Sequence, residues 1–373
     1  MTRGAGAARG LAAILAIASA TYACTIVSGL RVPAPDGPDA AGDAAADAPQ
    51  GALPDAGDGC RHAFPPPKPA AAGAGGNLEV LVALRTIELR SGAIGYDLDG
   101  FCTCGAQGPS CASAQVACDP EGGVDNVAGP LALDGVFSGY DLEKRLNGLI
   151  EGGHNTLLLG LQQYNGLPDD DQVTVSVYSA GGVYPSLGDG GFAGEAGAPR
   201  WDGDDPWSLD RAQLPTGKPP GSFDTNEAAY VAGGTLVAPV RVKERLNDAF
   251  ELALTGGVLT AEITMVDGAP QIARGVIAGR WPAVEMVRVF FDLEDPLTGS
   301  PVCKDFLVEQ VRSSICNAAD INANPAADGT AAPCDALSIG MAFTAVPAKF
   351  GPVLDVVPAP SPCLDAGVAP ACP

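Results

Sequence analysis

The sequence predicts a mainly β fold: an antiparallel β-sandwich, jelly-roll-like, with a few short helices and disulfide-stapled loops. Three observations predict it. Glycine (49 of 373 residues) and proline (33) are abundant while charged residues make up only 17%, a balance that favours turns and short strands over long helices. Several segments alternate apolar and polar residues with the period of two that half-buries a strand. The cysteines, eleven in all, leave an even set of ten once Cys24 is set aside, which is the arithmetic of cross-linked loops.

Residues 1–23 have the pattern of a signal peptide. Arg3 and Arg9 form a basic start, and Leu11 to Ala20 is an apolar run far short of the about 20 residues needed to span a bilayer. Thr21-Tyr22-Ala23-Cys24 resembles the lipobox of bacterial lipoproteins, in which the cysteine becomes the lipidated N-terminus. Thr21 stands where that pattern has Leu, and Tyr22 where it has a small residue. Cleavage after Ala20 or Ala23, without lipid, is the alternative. Residues 24–76 are rich in Ala, Asp, Pro and Gly and include Pro65-Pro66-Pro67. So few bulky apolar side chains cannot offset ordering entropy, and the segment is expected to be a disordered tether with His62 solvated on it.

The β-sandwich body is expected over 77–301. Leu78, Val80, Val82 and Leu84 alternate with Glu79 and Arg85, and Ile87 and Leu89 extend the pattern. Leu142, Leu146, Leu149 and Ile150 fall at helical spacing, with Ser138 placed to cap the start and Gly152-Gly153 the end. Further strands are expected at Thr156–Leu161, at Val173, Val175 and Val177, at Thr235–Val242, and at Phe250, Leu252 and Leu254. Leu259 to Met265 is another, turned by Asp267-Gly268 into Ile272–Ala278. Residues 302–373 change character to a cysteine-rich helix, a closing strand and a Pro/Ala tail. Before them, Pro282 can open a helix carrying Val284, Val287 and Phe291. Asp305–Cys316 has Val308, Val311 and Ile315 on one face, and Ser338–Val346 is the closing strand.

In an exported chain the ten cysteines Cys60, Cys102, Cys104, Cys111, Cys118, Cys303, Cys316, Cys334, Cys363 and Cys372 are most simply five disulfides. A zinc knuckle does not fit, because Cys102-Thr-Cys104 has the wrong gap. The 102–118 and 303–334 groups are each compact enough to pair internally. Cys363 and Cys372 either bridge each other or pin the tail.

The acidic loop 96–126 carries the chemistry. Asp97-x-Asp99-Gly100 sets two carboxylates beside a turn glycine, and Asp119-x-Glu121-Gly-Gly-x-Asp125-Asn126 repeats that logic. A hard cation such as Ca²⁺ takes six to eight oxygens, so Asp97, Asp99, Asp119, Glu121 and Asp125 are its candidate ligands. The stretch resembles the Asp-x-Asp-Gly-x-x-Asp calcium loops of thrombospondin type 3 repeats, with Glu121 in place of an Asp. A solvated acidic turn beside disulfides is the competing reading. Trp201-Asp-Gly-Asp-Asp-Pro-Trp207 offers two indoles around three carboxylates, a pattern that suits a sugar. In the plainer reading the indoles plug the end of the sandwich.

The formal net charge of −23 excludes nucleic acid as a partner. No Gly-x-Ser-x-Gly, no His-Glu-x-x-His and no phosphate loop is present. His154, in Gly-Gly-His-Asn-Thr, reads as a turn residue, and no enzyme is expected. The layout as a whole, with its signal, Cys24, tether and cysteine-rich body, resembles uncharacterised exported lipoproteins of soil-dwelling Gram-negative bacteria. That resemblance implies an envelope location, at the outer membrane since Thr25 is not an Asp retention signal, and it implies no activity. The expectation is an envelope-anchored or secreted, disulfide-stabilised binding or structural module, calcium-loaded, whose partners are a polysaccharide or another surface protein. A lectin-like carbohydrate-binding sandwich and a carboxylate-dependent glycoside hydrolase are the alternatives.

Overall fold

In the computed structural model, residues 62–372 are described except 71–74, 90–91, 106, 120–122, 132–136, 138, 188–190, 215–228, 246–250, 357–359, 364–366 and 368. The expected signal peptide, Cys24 and Cys60 lie outside the described residues, as do Glu121 and Ser138.

The chain is mainly β. The strands are β1 (Leu78–Glu88), β2 (Thr156–Tyr164), β3 (Thr174–Val183), β4 (Pro206–Asp210), β5 (Tyr230–Ala232), β6 (Thr235–Arg245), β7 (Glu251–Val266), β8 (Ala269–Pro282), β9 (Ala336–Pro347) and β10 (Lys349–Leu354). They form one sheet in the order β10-β4-β3-β2-β1-β9-β8-β7-β6-β5. Every pairing is antiparallel except β10 with β4. The connectivity is two up-and-down meanders joined where β1 pairs β9, simpler than the jelly-roll crossings expected for a sandwich. The two layers come from one sheet that curls over, because Val82, Leu159, Leu254 and Ile277, from both halves, share one buried cluster. Val231 of β5 and Asp170, just before β3, exchange backbone bonds of 2.7 and 3.0 Å at the closing seam.

The side-chain period explains the second, smaller core. Leu157, Leu159 and Leu161 of β2 point into the main cluster, while Leu158 points the other way to meet Ala83, Tyr178 and Trp207. A strand buried on both faces has to be apolar without a break, and Leu157–Leu161 carries no polar side chain. Asp267 and Gly268 both take positive φ (52° and 81°), the geometry of the tight hairpin joining β7 to β8.

Among the described residues there are four α-helices: α1 (Ala128–Leu131), α2 (Leu142–Glu151), α3 (Ala283–Asp292) and α4 (Val308–Asn317). In α2, Leu142, Leu146 and Ile150 face inward. Its cap is Asp141, whose carboxylate accepts from the Lys144 amide, in place of the expected Ser138. Asn147 and Glu143 bind the backbone of Ile87 and Leu89 and so fix α2 to the end of β1. Pro282 precedes α3 as expected. However, Val284 is exposed while Met286, Val287, Phe290 and Phe291 are buried, because the register that starts at Ala283 turns that face inward.

Four disulfides are defined: Cys104–Cys118, Cys111–Cys334, Cys303–Cys363 and Cys316–Cys372. Cys102 is disulfide-bonded as well. Cys363 and Cys372 do not bridge each other; each holds the tail against the α3–α4 region. The 303–334 group does not close on itself either, since Cys334 crosses to Cys111. Finally, residues 62–69, assigned to the tether by composition, lie on the body. Ala63 is buried, its carbonyl accepts from the Asp97 amide at 3.0 Å, and Tyr230 donates to the Pro66 carbonyl at 2.6 Å.

Candidate metal centre

Between β1 and α1 the chain runs as loop, so its backbone amides need partners other than a helix or sheet ladder. Aspartates supply them. Asp97 accepts from the Gly100 amide at 2.6 Å and Asp99 from the Phe101 amide at 2.8 Å. One oxygen of Asp125 accepts from the amides of Leu98 (2.6 Å) and Asp99 (3.3 Å). Asp125 N donates to the Tyr96 carbonyl at 3.0 Å, which brings the two ends of the loop together. The base of the loop is pressed onto β9, where a Cβ on Gly340 would lie 2.0 Å from the Ile94 carbonyl oxygen; only glycine permits that approach. Asn126 bonds the same carbonyl at 2.8 Å, and Tyr96 bonds Thr260 of β7 at 2.7 Å.

This folding brings Asp97, Asp99 and Asp125 together, each with a carboxylate oxygen within 4.8 Å of the others. Two oxygens that each sit about 2.4 Å from one calcium ion are separated by at most about 4.8 Å, so the triad is close enough to share a cation. Asp97 and Asp125 are buried and Asp99 is half-buried. Asp119 does not join the triad; its carboxylate accepts from the Thr103 amide at 2.6 Å and pins the loop beside the Cys104–Cys118 bridge. The expected fifth ligand, Glu121, lies outside the described residues.

The electrostatics show a site with surplus negative charge. Burial pushes Asp97 and Asp99 above the usual carboxylate range, and it pushes Asp125 well above it, with the neighbouring Asp99 charge adding to the effect. Burial, together with the charges of Asp99 and Asp97, raises Asp119 to about 6. Asp320 reaches the same neighbourhood from the segment before β9. It keeps some residue surface exposed, but its carboxyl lies deep, bonds Ser338 (2.6 and 2.9 Å) and is raised to about 7 by burial. Each shift says that the folded site holds protons where an unfolded chain would not.

Two basic groups adjoin the loop. His62 Nδ1 meets Oδ2 of Asp97, and its ring stacks on Phe64 at 5.3 Å. The solvated linker histidine expected from composition is therefore enclosed, its side chain only 9% exposed. Arg280 of β8 is 1% exposed and forms a bidentate pair with Asp328 (2.6 and 2.9 Å). It also donates to the carbonyls of Leu98 (2.6 Å) and Asn322 (2.8 Å). It thus clamps the acidic loop to the 320–335 segment while its charge is taken up by Asp328.

The tryptophan loop is built differently. Trp207 is fully buried on β4 and packs at 5.5 Å against Trp201. An indole with no exposed face cannot stack on a sugar, so the ligand-binding assignment of Trp207 gives way to the plug. Trp201 is half-buried in the same cluster, with Arg85 over its ring at 5.8 Å. The three carboxylates are also occupied. Asp205 accepts from the amides of Arg200 and Trp201, Asp204 pairs with Lys349 at 2.6 Å, and Asp202 lies 3.3 Å from Arg200.

Asp97 and Asp99 were readable as neighbours from their spacing, whereas Asp125 joins them through closure of the loop. His62, Arg280, Asp320 and Asp328 were not readable, because each comes from a distant part of the chain and carries no local motif. Compared with protein-family models, with curated proteins and with solved structures, the chain matches none of them.

Proposed function

We propose that this protein is an exported, disulfide-stabilised binding module whose acidic loop takes up a calcium ion, and that it stays at the cell envelope through lipidated Cys24. The observation that supports calcium is the Asp97, Asp99 and Asp125 oxygens within 4.8 Å of one another on a cross-linked loop. Carboxylates this close repel one another unless protonated or bridged by a cation, and oxygen-only donors suit calcium over zinc or copper. A glycosidase pair fits less well. Such pairs stand about 5–5.5 or 6.5–9.5 Å apart across an open cleft, whereas Asp97 and Asp125 are enclosed. The oxidising compartment that four disulfides require is consistent with export, and no helix among the described residues is long and apolar enough to cross a membrane.

The test is thermal unfolding of the purified chain with chelator and with millimolar calcium. Calcium is expected to raise the melting temperature by several degrees, following the mass-action relation of ligand and stability. Asp99→Ala is expected to abolish the shift. An unchanged melting temperature in the wild-type chain, with no heat of binding by calorimetry, would overturn the calcium reading.

A further inference from the structure

Three carboxylates leave a calcium ion short of the six to eight oxygens it prefers. A fourth donor stands beside them. Ser110 is 1% exposed, and its Oγ has no hydrogen-bond partner among the described residues. The hydroxyl lies against the Asp99 carboxylate and favours its charged form, but the contact is off hydrogen-bond geometry. Buried hydroxyls are nearly always bonded. One that is unbonded and set against Asp99, a member of the triad, is placed to donate its lone pairs to something else.

We infer that Ser110 Oγ is a fourth oxygen ligand of the cation held by Asp97, Asp99 and Asp125; this rests on the calcium reading above. The position of Ser110 is well determined. Its carbonyl accepts from the Gly329 amide at 2.8 Å, and the next residue, Cys111, is 3% exposed and bonded to Cys334. Ala112 N donates to the Ala332 carbonyl at 2.8 Å, so the segments flanking both cysteines run side by side. A hydroxyl also suits the charge balance. It adds an oxygen without a further negative charge, where Asp119 and Asp320 already make the potential at Asp125 more negative. Asp328 is close enough to Asp99 to repel it, but its carboxylate is taken by Arg280. Sequence reading passed over Ser110 because nothing in Gly-Pro-Ser-Cys resembles a ligand motif; the disulfide carries it to the site.

The test compares wild-type, Ser110→Ala and Ser110→Thr chains by calcium calorimetry and by terbium luminescence. Terbium is an oxygen-seeking substitute for calcium, and its lifetimes in H₂O and D₂O count the waters on the ion. Ser110→Ala is expected to weaken calcium binding by about tenfold or more, as loss of a group supporting a metal does. It is also expected to add one water to bound terbium and to leave the chelator-treated melting temperature unchanged. Ser110→Thr, which keeps the hydroxyl, is expected to retain the wild-type water count. Wild-type affinity and water count in Ser110→Ala would overturn this inference while leaving the calcium site in place. So would a chelator-treated Ser110→Ala chain that melts well below its parent, since the hydroxyl would then be structural. A wild-type chain that binds neither calcium nor terbium would overturn the underlying reading as well.

Discussion

Asp125 shows how one side chain serves two ends. It is 3% exposed, and one of its oxygens holds the amides of Leu98 and Asp99, so the carboxylate shapes the turn even without an ion. Burial and the Asp99 charge keep its proton on well above the usual carboxylate range. An Asn in its place keeps an acceptor for both amides and removes the charge that burial penalises. Asp125→Asn is therefore expected to melt a few degrees higher than wild type in chelator at pH 8, and to gain nothing from calcium. A chelator-treated variant that melts lower would show that the charge itself is needed for folding. At this scale the sequence was informative where ligands follow one another and uninformative elsewhere. Asp97 and Asp99 announce themselves by an intervening residue and a glycine. His62, which meets Oδ2 of Asp97, sits among prolines and alanines that read as linker.

Among the elements, β8 and the 320–335 segment are joined through Arg280. Removing its guanidinium leaves the Asp328 carboxylate with only the 3.4 Å contact from Asn322 Nδ2 and takes the arginine donor from the Leu98 carbonyl. Breaking one side of a buried pair costs about 3–5 kcal/mol, and Arg280→Ala is expected to fall near the lower figure because the Asp328 side chain is 11% exposed. Denaturant unfolding measures this directly. The loop carboxylates add a pH dependence whose sign is fixed. Asp119 at about 6 and Asp320 at about 7 lie above the value near 3.9 of an unfolded Asp. Between about pH 4 and 7 the folded state therefore binds more protons than the unfolded state, and stability from these groups falls as pH rises through that window. In chelator, the melting temperature is expected to be higher at pH 5 than at pH 8; with calcium, which needs the charged forms, the ordering reverses. The strands were legible where a period of two survives in a single sequence: β1 and β3 cover their alternating segments, and the alternating Leu259–Met265 lies within β7. The join between Leu254 and Leu259 into one strand was not, because the bulge near Gly256 interrupts the alternation there.

Across the whole molecule, cross-links do what regular structure does not. The Cys111–Cys334 bridge spans 223 residues and ties the acidic loop to the segment before β9. A disulfide closing so long a loop restricts the unfolded chain strongly, with typical losses of about 2–5 kcal/mol on removal from small domains. The Cys111→Ser/Cys334→Ser pair is expected to lose stability in that range and to lose calcium affinity besides. A chain destabilised without loss of affinity would separate the staple from the site. Ten cysteines and abundant glycine pointed to such a body, but which cysteine meets which depends on where the strands lie, and spacing does not encode that.

The rims of the sheet have a consequence for crowding. At one rim β5 is three residues long and hands its seam to Asp170. At the other, β10 breaks register around Gly351-Pro352, where the proline offers no donor. A neighbouring copy thus finds in β5 a strand too short, and in β10 one too irregular, to stack against. At high concentration, molecules of this kind are expected to stay individual instead of knitting into fibres, with ultracentrifugation of concentrated protein returning the mass of a lone chain.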